Sequence, residues 1–225
     1  QPVRIRVNTG VHADTHEFLA TAREDQKFGI AIDEVPGLVE KIRKHNHLEF
    51  LGLHSHIGSQ IFETAGFAEA AKRLIKLHSA LLAGGAVPEL NLGGGFGIDY
   101  NVGDNAPSIK STADAIVEAI AVACQAEGVK VPKLAFEPGR AIVGRAGVTL
   151  YTVGTIKDVN LGEGVIRKYV SVDGGMSDNA RTALYQAEYS TRLVSRVTSA
   201  APALVRVVGK HCESGDIVVR HDYLP

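Results

Sequence analysis

Two periodicities alternate along the first 145 residues: short apolar runs of strand length, and longer stretches in which apolar residues return every three or four positions. Residues 3–8 read as a strand. Residues 35–46 read as a helix, with Pro36 tolerated in its first turn. Residues 48–56 form an apolar run closed by Ile57-Gly58-Ser59, as a buried strand does. Phe67, Ala70, Ala71, Leu74, Leu77, His78 and Leu81 then recur at helical spacing, with Thr64 placed as N-cap and Gly84-Gly85 as the stop. Residues 87–92 predict a strand running into Gly93-Gly94-Gly95. Ser111 is placed as the cap of a helix whose stripe holds Ile116, Val117, Ile120 and Ala123. Residues 134–137 predict another strand, ending at Pro138-Gly139-Arg140.

This β-α-β-α order implies a parallel sheet with helical crossovers, an α/β fold. Each polar or glycine cluster follows the C-terminal end of a strand, where a (β/α) barrel or an open α/β sheet carries its active site. Beyond residue 145 the pattern changes. Residues 148–159, 167–172, 192–197, 204–208 and 217–220 read as strands separated by turn residues, and only residues 180–187 suggest a helix. The expected organisation is an α/β domain over 1–145 and a mainly β domain over 146–225.

Composition narrows the partners more than the chemistry. The chain has 225 residues, 45% hydrophobic and 22% charged, with 24 basic and 25 acidic side chains that nearly cancel. Lys and Arg are scattered, so a nucleic-acid partner is not expected. Two cysteines are too few for a disulfide framework, and no apolar run is long enough to span a membrane. The chain opens inside a strand pattern without an initiator Met, and reads as a piece of a longer protein.

Five segments carry candidate chemistry. In Leu53-His54-Ser55-His56-Ile57-Gly58-Ser59-Gln60, alternation puts His54 and His56 on one face. They could be core histidines or a metal pair. Alternatively, an imidazole stacks on a planar cofactor while Ser59 reaches an anion. Successive N–H groups of Gly93, Gly94 and Gly95 can cradle a phosphate, or the run is a structural loop; it matches neither the P-loop nor the dinucleotide fingerprint. Glu137 closes a buried strand and needs a cationic or hydrogen-bonding partner. Arg140 can be that partner, or Glu137 can meet a protonated ring nitrogen while Arg140 meets an anion. Arg181 and Tyr185 are i and i+4 neighbours on the expected helix, suited to a substrate carboxylate or to a plain surface pair. In Lys210-His211-Cys212-Glu213-Ser214-Gly215-Asp216, a thiol beside a carboxylate can donate a proton, or the segment is a charged turn. No metal site is expected, since Cys212 lacks a CxxC partner and Cys124 sits on a core stripe.

Taken together and in this order, HSHIGSQ, LGGGFGIDY, EPGR, DGGMSDNARTALYQA and CESGD resemble the fold-type III pyridoxal-phosphate (PLP) decarboxylases, and most closely their diaminopimelate-acting branch. The resemblance implies a partial (β/α)8 TIM-type barrel followed by a partial, mainly β C-terminal domain. It implies that His56 stacks on the PLP ring and that Ser59, Gly93, Gly94 and Gly95 bind its phosphate, helped by Pro138, Gly139 and Arg140. It makes Glu137 the partner of the ring nitrogen, and gives Arg140, Arg181, Tyr185 and Glu213 the substrate's distal end. Cys212 becomes the proton donor. It implies a cytoplasmic homodimer whose sites are completed across the interface by Cys212 and Glu213. The implied reaction is decarboxylation of meso-2,6-diaminopimelate to L-lysine. Other members acting on ornithine, arginine or carboxynorspermidine, and a non-catalytic PLP-binding barrel, are the alternatives. The family's cofactor-bearing lysine corresponds to a position upstream of residue 1, and neither Lys27 nor Lys210 has a matching context. The chain by itself is therefore expected to be catalytically incompetent and poorly stable.

Overall fold

A computed structural model describes residues 1–11 and 27–225. They divide into two compact units, one of residues 1–98 and 105–146, the other of residues 99–104 and 147–225.

The first unit is built on a parallel sheet. Its strands are β1 (Pro2–Asn8), β2 (Ile30–Ala31), β3 (Glu49–His54), β4 (Glu89–Asn91) and β5 (Lys133–Ala135), in the order β2-β1-β3-β4-β5. Helix α1 (Val35–Lys44) connects β2 to β3, α2 (Ala65–Leu82) connects β3 to β4, and α3 (Ile109–Glu127) connects β4 to β5. A short α4 (Gly139–Val143) and a 3-10 turn follow. The five strands and their crossovers are a portion of a (β/α) barrel.

Each helix forms where its apolar stripe finds the sheet. In α1 that stripe is Val35, Val39 and Ile42; the helix stops at Lys44 because His45 turns extended. In α2 every residue of the expected stripe is buried, joined by Ile75. Each fully buried Leu or Ile there contributes roughly 2 kcal/mol. Thr64 does stand at the N-cap, but its backbone is already helical and its side chain caps nothing. In α3 the cap is Ser108, not Ser111: extended Ser108 accepts the Ser111 N–H through its hydroxyl. Val117 is not part of the buried stripe and is 51% exposed, whereas Ile116, Ile120, Ala123 and Cys124 are buried.

Strand register sets the polar face of the sheet. Arg4 lies opposite Gly52, Gly52 opposite Glu89, and Glu89 opposite Lys133. Paired residues in a parallel sheet share a face, so these make one row. Two positions further along, Arg6, His54, Asn91 and Ala135 make a second row.

The first row is held by charge. Buried Glu89 accepts Arg4 Nε at 2.7 Å, and its other oxygen lies 3.3 Å from Lys133 Nζ. Burial works against the charge, but hydrogen bonds from Arg4 and Lys133 outweigh it and hold the carboxyl below its ordinary value. A depressed carboxyl stabilises the fold above its ordinary titration range, and that contribution is lost as pH falls through the depressed value. Glu89→Gln is expected to destabilise the protein by about 1–2 kcal/mol at pH 7, most of it from the Arg4 contact, because Lys133 is largely exposed. The gap from wild type, read from denaturant midpoints, narrows in acid as Glu89 itself becomes protonated.

The second unit is a mixed sheet of β6 (Val153–Asn160), β7 (Ile166–Val172), β8 (Ala203–Val208) and β9 (Ile217–Leu224). β6 and β7 are antiparallel, β7 and β8 parallel, β8 and β9 antiparallel. Its small core is Val172, Val207, Val218 and Val219, with Tyr151 and Tyr189 packed against it. The expected helix is a single turn and a half, α5 (Arg181–Tyr185). Residues 192–197 form no strand: among the described residues nothing pairs with them, and Val194 and Val197 are exposed.

Candidate functional site

The polar residues that follow β3, β4 and β5 meet at the C-terminal edge of the first sheet. After His54 the chain leaves the strand, and His56 Nδ1 accepts the Gly94 N–H at 3.1 Å. An accepting ring nitrogen carries no proton, so His56 is assigned as neutral with its proton on Nε2. Burial, reinforced by the positive charge of Arg6, pulls its pKa below the ordinary histidine value and favours the same state.

Glu137 lies two residues beyond β5 and is anchored through one oxygen. Its Oε1 accepts Asn91 Nδ2 at 3.0 Å and lies 3.4 Å from His54 Nε2. Burial lowers the His54 pKa more than the Glu137 charge raises it, so the contact joins a neutral imidazole to a carboxylate. Among the described residues nothing bonds Oε2, and the Glu137 side chain is 53% exposed. The carboxylate is thus oriented from behind and open in front.

The glycine run works differently from the expected cradle. The Gly93 N–H is taken by Asn91 Oδ1 at 2.8 Å and the Gly94 N–H by His56. Only the Gly95 N–H finds no acceptor among the described residues. The glycines are needed because three chain segments crowd together: a Cβ on Gly94 would fall 2.0 Å from the Glu137 carbonyl oxygen, and one on Gly95 (φ +99°) 2.1 Å from that of Gly58. Next to them Arg140 Nη2 donates to Ser59 Oγ at 2.8 Å. A hydroxyl and a guanidinium so paired suit an anion with several oxygens. Pro138 takes the N-cap position of α4, which Gly139 opens.

In the second unit the segments around Asp173–Asn179 and Lys210–Asp216 are tied together by Asp216, 2% exposed. Its two oxygens accept Met176 N–H at 2.6 Å and His211 N–H at 2.7 Å. Ser177 Oγ is 2.7 Å from His211 Nε2. Asp178 accepts the Gly175 N–H and the Tyr151 hydroxyl. Burial and then that carboxylate push the Tyr151 pKa up to about 12, which keeps it a donor. On the turn so formed, Cys212 and Glu213 are exposed, and Glu213 Oε1 accepts the N–H of Gly215. On α5 the Arg181 guanidinium lies 5.4 Å from the Tyr185 ring centre, so the i, i+4 pair does form.

His56, Ser59, Gly93–Gly95, Glu137 and Arg140 therefore come together in one unit, and Arg181, Tyr185, Cys212 and Glu213 are carried by the other. Arg6 and Asn91, and the contact of His54 with Glu137, escape motif reading. A faint signal exists in the alternating Arg4-Ile5-Arg6-Val7, which puts two cations on one face of a strand. No group of three or more His, Cys, Asp or Glu able to hold a metal occurs among the described residues, and none of their helices is long and apolar enough to cross a membrane.

Comparison with known proteins gives the arrangement a context. Residues 1–144 match the family model of the pyridoxal-binding domain of pyridoxal-dependent decarboxylases, and residues 112–225 match that of their C-terminal sheet domain. Diaminopimelate decarboxylases of Mycobacterium tuberculosis and Mycobacterium leprae are 49% and 50% identical over the whole chain. The chain spans about half the length of these curated relatives, 52% and 49%. Among solved structures, Helicobacter pylori diaminopimelate decarboxylase complexed with L-lysine superposes with a TM-score of 0.84 at 28% identity, over 100% of this chain and 52% of that one. With sheet, helices and both family models in agreement, this chain belongs to the pyridoxal-dependent decarboxylases.

Proposed function

We propose that the protein carrying this chain decarboxylates meso-2,6-diaminopimelate to L-lysine and CO2, as a cytoplasmic homodimer whose sites are completed across the interface. The observation that carries the cofactor part is the front-open carboxylate of Glu137 beside the neutral ring of His56 and the Ser59–Arg140 pair. These groups fit a flat, phosphorylated, protonated heterocycle. His56 offers an uncharged ring to stack on it. Glu137 Oε2 would accept a ring N–H. The Gly95 N–H, Ser59 hydroxyl and Arg140 guanidinium would receive phosphate oxygens, while Gly93, Gly94, Pro138 and Gly139 shape the surrounding backbone.

Bound PLP supplies a sink for the electron pair left on the substrate α-carbon when its bond to the carboxylate breaks. The chain's own residues do the rest. Arg181, backed by Tyr185, would take the substrate's distal carboxylate, and Glu213 its distal ammonium. The Cys212 thiol delivers a proton to the α-carbon after CO2 departs, so one C–C bond is exchanged for one C–H bond. In this division residues 1–145 hold the cofactor, and residues 146–225 hold the substrate end and the proton donor. The exposure of Cys212 and Glu213 supports a role completed by a second copy.

The test uses the full-length holoprotein that contains this chain, offered meso-diaminopimelate, ornithine and arginine in turn, with CO2 and amine products followed by mass spectrometry. Turnover of meso-diaminopimelate alone, giving lysine, is expected. Turnover confined to ornithine or arginine, or none at all, overturns the reading. Cys212→Ala is expected to lower kcat about 100-fold with PLP binding unchanged, the usual scale of a lost general acid.

A further inference from the structure

Arg181, half-buried on a five-residue helix, is flanked by two tyrosines. Its Nε donates to the Tyr189 hydroxyl at 3.1 Å, and its planar group lies 5.4 Å from the Tyr185 ring centre. The helix under it is pinned as well. Buried Thr182 donates its hydroxyl to the Val218 carbonyl at 3.0 Å, and Arg220 donates to the Thr182 carbonyl at 3.1 Å. Left-handed Gln186 (φ +54°) ends α5 and turns the chain back, which brings Tyr189 beside Arg181.

Tyr189 is itself supported. Its ring packs against the second unit's small core and meets Tyr100 edge-on, with ring centres 5.5 Å apart at 82°. Ser190 Oγ donates to the Tyr100 carbonyl, tying the two segments together. Among the described residues no carboxylate pairs with Arg181. Among the described residues this cation is thus fixed in orientation and left without a carboxylate partner. Its Nε is given to Tyr189 and the Tyr185 ring lies beside it, so the terminal pair Nη1 and Nη2 remains, with no acceptor among the described residues.

We infer that Tyr189 is a positioning residue for specificity: its hydroxyl holds the Arg181 fork so that a substrate's distal carboxylate is received end-on by the two terminal nitrogens. The inference rests on the proposed role of Arg181 in the substrate site. A fork fixed before binding loses less freedom when it binds, and the two parallel N–H···O bonds it offers demand a planar carboxylate. Substrates with a bare distal ammonium gain nothing from it.

The experiment is made on the full-length holoenzyme with Tyr189→Phe, which removes only the hydroxyl, and Arg181→Ala. L-lysine, which keeps the distal carboxylate, and cadaverine, which lacks it, are the equilibrium probes, titrated by calorimetry. For Tyr189→Phe, L-lysine binding is expected to weaken about 10-fold with cadaverine binding unchanged. KM for meso-diaminopimelate rises by a similar factor, kcat stays within about twofold, and the melting temperature does not move. Combined with Arg181→Ala, the substitution adds nothing further. If Arg181→Ala weakens L-lysine binding but Tyr189→Phe does not, the positioning role is overturned. An equal loss of lysine and cadaverine binding in Tyr189→Phe overturns it too. If Arg181→Ala leaves L-lysine binding unchanged, the carboxylate role of Arg181 fails first and the inference falls with it.

Discussion

Gly94→Ala is expected to cost the full-length protein about 3 kcal/mol of stability and to weaken PLP binding at least 100-fold. The new Cβ would lie 2.0 Å from the carbonyl oxygen of Glu137 and 2.9 Å from its carbonyl carbon. Both are backbone atoms and cannot rotate away. One residue earlier the same two segments are joined, since Glu137 N–H donates to the Gly93 carbonyl at 2.7 Å. Making room means breaking that bond or the one from Gly94 N–H to His56 Nδ1. Overpacking a tight site costs roughly 1–3 kcal/mol, and a lost buried hydrogen bond roughly another 1 kcal/mol. The same displacement moves the Glu137 carboxylate and releases the His56 ring, so the cofactor contacts suffer together. Thermal melts with and without PLP, together with equilibrium dialysis of PLP, check both parts. Gly103→Ala is the control, because nothing lies within 4 Å of a Cβ there. A Gly94→Ala protein that melts like wild type and keeps its cofactor contradicts the packing argument.

The same contacts lie at the limit of what is legible in the sequence. The placement of His56, Ser59, Gly95 and Glu137 at one edge follows from local pattern alone. Each stands just after a strand, and parallel strands joined by helices all finish on the same side. Which glycine N–H remains open does not follow, because it depends on where Asn91 and His56 point their side chains. Asn91 reads locally as an ordinary residue in a buried strand. Its role comes from register: it shares a row with His54 and Arg6, and register between distant strands is not written in either strand's own periodicity.

The misread elements have the same origin. Residues 192–197 carry strand-like residues, but a strand needs a paired neighbour, and none of the described strands, edge strands included, pairs with them. Ser111 and Ser108 are both acceptable caps by type; extended Ser108 wins because the backbone turns helical immediately after it. Asp216 looks like one more charge in a polar turn, yet it is buried and bonds the N–H groups of two segments, Met176 from one and His211 from the other. Tyr189 similarly gains its place beside Arg181 from the left-handed turn at Gln186, a conformation that glutamine does not advertise. In each case a short-range pattern supplies the residue and a long-range contact supplies its task.

Glu137→Gln tests the proposed chemistry itself: in the full-length protein, kcat for meso-diaminopimelate is expected to fall about 100- to 1000-fold while PLP affinity changes less than about 10-fold. The substitution is nearly isosteric, so the amide oxygen can keep the hydrogen bond from Asn91 Nδ2 that now reaches Oε1 at 3.0 Å. His54 Nε2, 3.4 Å from that oxygen, then faces an uncharged acceptor. The group turned outward in place of Oε2 becomes an amide N–H2, a donor where an acceptor stood. It can no longer hold a proton on a facing ring nitrogen, and the negative charge that favours that proton is gone. Neighbouring Arg6 and its positive charge remain, which disfavours the protonated ring further. The proposed stacking on His56 and the proposed phosphate contacts of Ser59, Arg140 and the Gly95 N–H do not involve this carboxylate, so binding is expected to persist as electron withdrawal fails. The magnitude is that of removing one preorganised charge from a reacting centre. Glu137→Asp keeps the charge but shortens its reach and should fall between the two. If Glu137→Gln stays within about 10-fold of wild type in kcat, the carboxylate serves only to orient Asn91 and His54.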